Sequence, residues 1–252
     1  MRILKNINSV FLFSLISMLT FTSVFADENI NVQNEESSQE VEEILVTANR
    51  TEQSINDVSQ AVQALSGDDL QDLQITDFEQ MIDLIPGAVQ NSSISQGSNV
   101  YSIRGVASAE TDGDATIGYY LDNFAFSLPG RPYAPVTDIY DTERVEVLRG
   151  PSGTLYGLGS LGGTIKVITK DPVIGEFEGS FKATLADIDD GDSSHTGDLM
   201  LNIPLSENAA LRGVLSIKDI GGWAEIIPSN QTNGNPYDGI TGRLKLLVEP
   251  TE

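Results

Sequence analysis

Between residues 176 and 250 apolar and polar side chains alternate with period two in four successive stretches, and no other feature limits the possible folds as tightly. In the first stretch Phe177, Phe181, Ala183 and Leu185 share one face and Ser180, Lys182 and Thr184 the other. In the second, Leu199, Leu201 and Ile203 oppose Asp198, Met200 and Asn202. The third sets Leu211, Leu215 and Ile217 against Arg212, Ser216 and Lys218, and the fourth Ile240, Leu244, Leu246 and Val248 against Thr241, Arg243 and Lys245. PLSEN, between the second and third, is short; DIDDGDSSH and GGWAEIIPSNQTNGNPYDG are longer and polar. Strands with one apolar face must hide it against protein or lipid. A soluble β-sandwich does this, and so does an outer-membrane barrel, which has short turns on one side and long loops on the other.

The N-terminus favours the barrel. Arg2 and Lys5 precede the apolar run Val10–Phe21, and small residues lead to Ala26, the layout of a secretory signal peptide over residues 1–26. That run is too short for a membrane-spanning helix. Residues 27–57 are read as a flexible, acidic segment, interrupted by the β-prone island EILVTANR. The island is either the first strand of the domain or an exposed strand for a partner to capture.

A formal charge of −23 and a pI near 4.1 are the wrong sign for nucleic acid. With no cysteine and one histidine, His195, the usual nucleophile–base pairs and zinc sites are missing, and no enzyme or cofactor is expected. Asp187, Asp189, Asp190 and Asp192 have the carboxylates of a calcium loop, but an EF-hand loop needs glycine where Asp192 stands, so the cluster is read as a solvated loop and no metal is expected.

Residues 58–172 read as an α+β domain. VSQAVQAL is a strand, Ser66 caps a helix over Asp68–Leu73, and Thr76 with Glu79 forms a capping box opening a second helix through Leu84. Phe78, Met81, Ile82 and Ile85 give that helix its apolar face, and Pro86-Gly87 stops it. VYSIRGV, TIGYYLDNF, ERVEVLRG and GGTIKVITK follow as strands. Gly157, Gly159 and Gly162 have the G-x-G-x-x-G spacing of a dinucleotide loop, but TIKVITK after them alternates as a strand, so no helix N-terminus is there to hold pyrophosphate. The glycines are expected to serve turns and close backbone contact.

DTERVEVLRGPSGTLYGLGSLGGTIKVITKDP (141–172) resembles the plug-domain signature of TonB-dependent outer-membrane receptors. SIRGV at 102–106 and Gly118-Tyr119-Tyr120-Leu121-Asp122 match other plug motifs, and EILVTANR resembles a TonB box at about 43–50. The resemblance implies an α+β plug followed by the start of an antiparallel transmembrane β-barrel, with about four of 22 strands in residues 173–252. It implies energised uptake of a scarce ligand, a ferric siderophore being the family's commonest cargo, with TonB and its inner-membrane energising complex as partners. Glu43, Ile44, Leu45, Val46, Thr47 and Ala48 would pair with TonB as an added strand. Arg104, Arg144 and Arg149 would latch the plug to barrel-wall carboxylates, and Phe124, Phe126, Arg131 and Tyr133, in loops 107–115 and 124–136, would contact ligand.

Four strands cannot close a barrel, so the chain is expected to be a fragment of a full receptor in the outer membrane, embedded in its lipid once complete. The alternative is a secreted periplasmic plug module, a truncated or split gene product, that binds TonB and transports nothing.

Overall fold

The computed structural model describes residues 44–75, 77–93, 99–107, 113–126, 130–131, 134, 137–157, 159–189, 191–224 and 234–250, and all that follows concerns these. The signal peptide, Glu43, Thr76, Tyr133 and Asp190 lie outside them. Two short strands, β1 (Leu45–Val46) and β2 (Gln53–Ser54), form an antiparallel pair. They are followed by β3 (Val62–Ser66), α1 (Gly67–Asp72), α2 (Phe78–Asp83), β4 (Ala88–Ser93), β5 (Asn99–Ile103), β6 (Val106–Ala107), β7 (Ile117–Leu121) and β8 (Phe124–Ala125). Then come β9 (Thr142–Arg149), α3 (Gly153–Tyr156) and β10 (Gly163–Thr169). The central sheet has the order β3-β9-β10-β7-β8, with β10 parallel to β7 and every other pair antiparallel. A second sheet runs β4-β5-β6.

α1 and α2 begin on capping side chains. Ser66 Oγ accepts from the Asp69 N–H (3.0 Å), as expected. At α2 the cap is Asp77, whose Oδ1 accepts from the Gln80 N–H (2.8 Å). This corrects the capping-box reading by one residue: helical geometry begins at Phe78, so the orphan amides fall within reach of Asp77. The helices cover one face of the central sheet, packing Leu70, Phe78, Met81 and Ile82 against Ile117, Tyr119, Val145, Val147, Ile165 and Val167.

The glycine run meets its structural expectation. α3 precedes the glycines and β10, not a helix, follows them. Gly159 has φ +87°, a conformation that L side chains avoid. At Gly163 a Cβ would fall inside the envelope of the Leu148 carbonyl oxygen and 2.9 Å from Ile103 Cδ1. Gly163→Ala should therefore push β9 and β10 apart and cost about 1–3 kcal/mol, read as a lowered midpoint in chemical denaturation.

The four alternating stretches form a meander of β11 (Glu178–Asp187), β12 (Ser193–Ser206), β13 (Ala209–Ile220) and β14 (Tyr237–Val248). The sheet is open, with β11 and β14 at its edges, and no closed barrel is present among the described residues. Its burial is inside out. Phe181, Leu185, Ile240 and Leu244 are 72–78 % exposed, whereas Asp198, Asn202, Arg212 and Ser216 are buried on the face turned to the plug. Water would not favour that arrangement; a hydrocarbon environment would. Asn202 ties the connection from β10 into this sheet: its Oδ1 accepts from Val173 N–H (2.9 Å), and its Nδ2 donates to the carbonyls of Val173 (2.9 Å) and Glu176 (2.7 Å).

Candidate functional site

The central sheet has a second face, opposite the helices, and ILVTANR (44–50) covers it. Alternation along β9 turns Glu146 and Leu148 away from Val145 and Val147, and Lys166 of β10 lies directly across from Glu146. Val46 and Ala48 are completely buried there with Leu148 and Tyr156. Of the two readings of the island, the structure takes the domain strand.

Thr47 is the contact point. Its N–H donates to Glu146 Oε1 (2.8 Å), its hydroxyl lies 3.1–3.2 Å from both carboxylate oxygens, and Lys166 Nζ donates to that hydroxyl (2.6 Å). The Tyr156 hydroxyl donates to the carbonyls of Thr47 and Ala48, each at 3.0 Å. Ile55 N–H bonds Ile44 O (2.9 Å), so in the antiparallel alternation Ile44 and Val46 turn their backbone groups to β2 and Thr47 turns its own away. Both strand edges are thus taken, one by β2 and one, at Thr47, by Glu146, Tyr156 and the Arg50 N–H, which donates to the Thr47 carbonyl (2.9 Å).

The charges beneath are confined. Glu146 is 0 % exposed and also accepts from Arg144 Nε (2.9 Å). Burial lowers the Lys166 amine from its usual range, with Glu146 opposing the shift. Burial, reinforced by Glu146, pushes the Tyr156 phenol up to about 12, which keeps it a donor at neutral pH. Arg50 closes the cluster, with its guanidinium 5.3 Å from the Tyr156 ring centre and Nε donating to Leu155 O (2.7 Å).

A second polar cluster joins plug and sheet. Arg212 of β13 grips Asp141 through Nε (2.9 Å) and Nη2 (2.5 Å), and Arg243 of β14 reaches the same carboxylate (3.2 Å) and the Asp141 carbonyl (2.9 Å). Lys245 donates to Thr169 O and Asp171 Oδ1, both 2.9 Å, and lies 3.3 Å from Asp122. Above it, plug and sheet enclose a cavity of about 1040 Å³ lined in part by Phe78, Tyr101, Asp138, Lys218, Trp223 and Tyr237.

The expected site residues separate into groups. Ile44 to Ala48 lie together on the back face. Arg144 bonds Glu143 and Glu146 inside the plug. Arg104 lies elsewhere, in a left-handed turn with Gly105 between β5 and β6, its Nη1 set against Gly150 beside Arg149. Arg149 Nε is buried without a hydrogen-bond partner among the described residues. Phe124 is 77 % exposed, and it follows the Asp122 turn that Lys245 holds. Lys245 pairs with Arg212 near the short connection at Glu207 and Asn208. Phe124 therefore sits at the short-turn end of the sheet, away from the long connections where a ligand face is expected, because β7 runs parallel to β10 and ends where β10 ends. Phe126 and Arg131 are exposed. Sequence reading missed Glu146, Lys166, Tyr156, Asp141 and Asn202. The available signal for Glu146 was a charge between valines in ERVEVLRG.

Residues 54–164 match the family model of the TonB-dependent Receptor Plug Domain. The pesticin receptor of Yersinia pestis is 32% identical over 56% of this chain and 21% of its own length. The metal-pseudopaline receptor of Pseudomonas aeruginosa is 31% identical over 71% of this chain and 23% of its own. Among solved structures, the ferripyoverdine receptor of the P. aeruginosa outer membrane superposes with a TM-score of 0.57 at 25% identity, over 69% of this chain and 22% of that one. The ferric yersiniabactin uptake receptor of Y. pestis gives 0.56 at 22% identity, over 74% and 28%. With the plug signature, the plug fold and these relatives together, residues 54–164 are a plug domain of the TonB-dependent receptor family, and the chain is similar to receptors of that family. It spans about a fifth of the length of the curated relatives it matches.

Proposed function

We propose that this chain supplies the plug and first strands of an outer-membrane receptor that takes up a scarce ligand, an iron–siderophore complex, with energy delivered through TonB. The observation that carries the reading is the docked segment Ile44–Ala48: a short strand whose outer edge at Thr47 is held by the Glu146 carboxylate at the N–H and by the Tyr156 hydroxyl and the Arg50 N–H at the carbonyl, bonds that the backbone of a partner strand can replace. The apolar outer face of β11–β14 supports a membrane location over the periplasmic-module alternative. Arg149, with donors to spare, is the best placed of the three arginines for a wall carboxylate. Ligand contacts fall to Arg131 and to the loops that leave the far end of β7.

Thr47→Val tests the reading. Valine keeps the β-branched shape and both backbone groups but loses the hydroxyl bonds to Glu146 and Lys166. The periplasmic domain of TonB should bind the variant about tenfold more tightly than the wild type, the equivalent of one or two hydrogen bonds removed from the competing docked state. Equal affinity would remove the box from the account. The cargo is tested separately, by uptake of radiolabelled ferric siderophores into iron-limited cells with and without the gene; equal uptake for every siderophore class would overturn the iron reading.

A further inference from the structure

Asp141 has an unusual position. Its φ is +57°, left-handed for a residue with a Cβ, and its side chain is 4% exposed although it lies at a corner of the plug. Two arginines from neighbouring strands converge on it, and Arg212 Nη1 extends the cluster to Glu178 of β11 (3.1 Å). Asp122, at φ +51°, repeats the theme: one oxygen accepts from Thr169 N–H (2.8 Å) within the plug, and the other faces Lys245 of β14. Tyr140 adds a hydroxyl contact to Ser180 of β11 (2.7 Å). Apart from Arg212–Glu178 within the sheet and Asp122–Thr169 within the plug, these contacts join the lower corner of the plug, where β7 and β10 end and β9 begins, to the inner face of the sheet.

We propose that this cluster is a clamp with Asp141 as its keystone, which fixes the plug on β13 and β14 in one orientation, over and above the covalent connection through 170–177. The inner face of β13–β14 is then a docking surface whose occupant is the carboxylate corner of this same chain. The polarity is cations on the strands and carboxylates on the plug, the reverse of the arginine latch expected from sequence. A bidentate guanidinium fixes direction as well as distance, and a carboxylate shared between two arginines fixes the angle between plug and sheet. Buried ion pairs of this kind contribute little to net stability over apolar packing but are costly to break from one side, so the clamp selects an arrangement. It shares strands β9 and β10 with the docked segment but no side chain: Thr47 is held by Glu146, Lys166 and Tyr156, and the Asp141 carboxylate by Arg212 and Arg243. Release of the segment leaves the clamp intact. None of this depends on the identity of the cargo.

The chain has no cysteine, so an introduced pair can be spin-labelled alone. Gly153→Cys, exposed on α3 with open space around its Cβ, reports the plug, and Glu207→Cys, in the exposed turn between β12 and β13, reports the sheet. Distances are measured on the full chain in detergent micelles. With the clamp intact the distribution should be single and narrow. Asp141→Asn tolerates the same left-handed backbone but removes the charge, and should broaden it. The double variant Arg212→Gln/Arg243→Gln should broaden it equally from the sheet side, and Lys245→Gln, a milder change, partly, all with unaltered circular dichroism. Unchanged narrow distributions would overturn the proposal. So would broadening in Asp141→Asn alone, because that pattern marks a local disturbance of the plug corner.

Discussion

Replacing Glu146 with leucine should cost about 3–5 kcal/mol and free the Ile44–Ala48 segment. The carboxylate is completely buried and serves Thr47 and Arg144 at once, opposite Lys166. Leucine fits the volume but leaves the Lys166 amine facing a site with no counter-charge and the Arg144 guanidinium with Glu143 as its remaining partner, the expensive way to break a buried ionic cluster. The Thr47 amide loses its acceptor as well. The measurement is chemical denaturation in micelles together with hydrogen exchange at Thr47, whose protection should fall to that of an exposed loop. Glu146→Gln keeps one acceptor for Thr47 and should fall between wild type and leucine. If Glu146→Leu left both stability and Thr47 exchange unchanged, the ionic floor under the segment would have no role.

Asn202→Leu should give the second large effect. Asn202 is wholly buried and makes three hydrogen bonds to backbone groups of Val173 and Glu176. Leucine leaves an N–H and two carbonyls without partners beside an apolar side chain, at about 2–4 kcal/mol in total. The connection should then lose its fixed path: the Val173 amide should exchange faster, by about a hundredfold or more if the cost falls on local opening, and proteases should cut at 173–176. Asn202→Asp, which can accept from Val173 N–H but repels the two carbonyls, should be cut at an intermediate rate. An intact connection in Asn202→Leu would show that the ion pairs of Arg212, Arg243 and Lys245 suffice to hold it.

Local rules were legible in the sequence and long-range pairings were not. Period two gave all four strands of the outer sheet, and the burial of Asp198, Asn202 and Arg212 against the exposure of Phe181, Leu244 and Ile240 follows the same alternation. Ser66 as a cap and the strand after Gly162 followed from neighbours in sequence. The strand β4, AVQNSS, was missed because its side chains are polar and its partner β5 supplies the reason for pairing. Glu146 was passed over within ERVEVLRG; it is interior because a segment about 100 residues earlier folds over it. Arg144 is expected as a latch from its place in the family's plug motif; among the described residues its guanidinium bonds Glu143 and Glu146 of the same strand, partners that the motif alone does not reveal. Phe124 is expected in an apical loop from the family resemblance and its residue type, while its end of the sheet is set by the parallel pairing of β7 with β10.

The most direct test of the account is binding of the TonB periplasmic domain to the full chain and to Thr47→Pro. Proline removes the amide that faces away from β2 and disfavours a paired strand, while the rest of the plug is unchanged. The account predicts binding to the wild-type chain, competed by a peptide of sequence EILVTANR, and none to Thr47→Pro. Equal binding by the two chains would contradict it, because the partner would then be recognising some other surface.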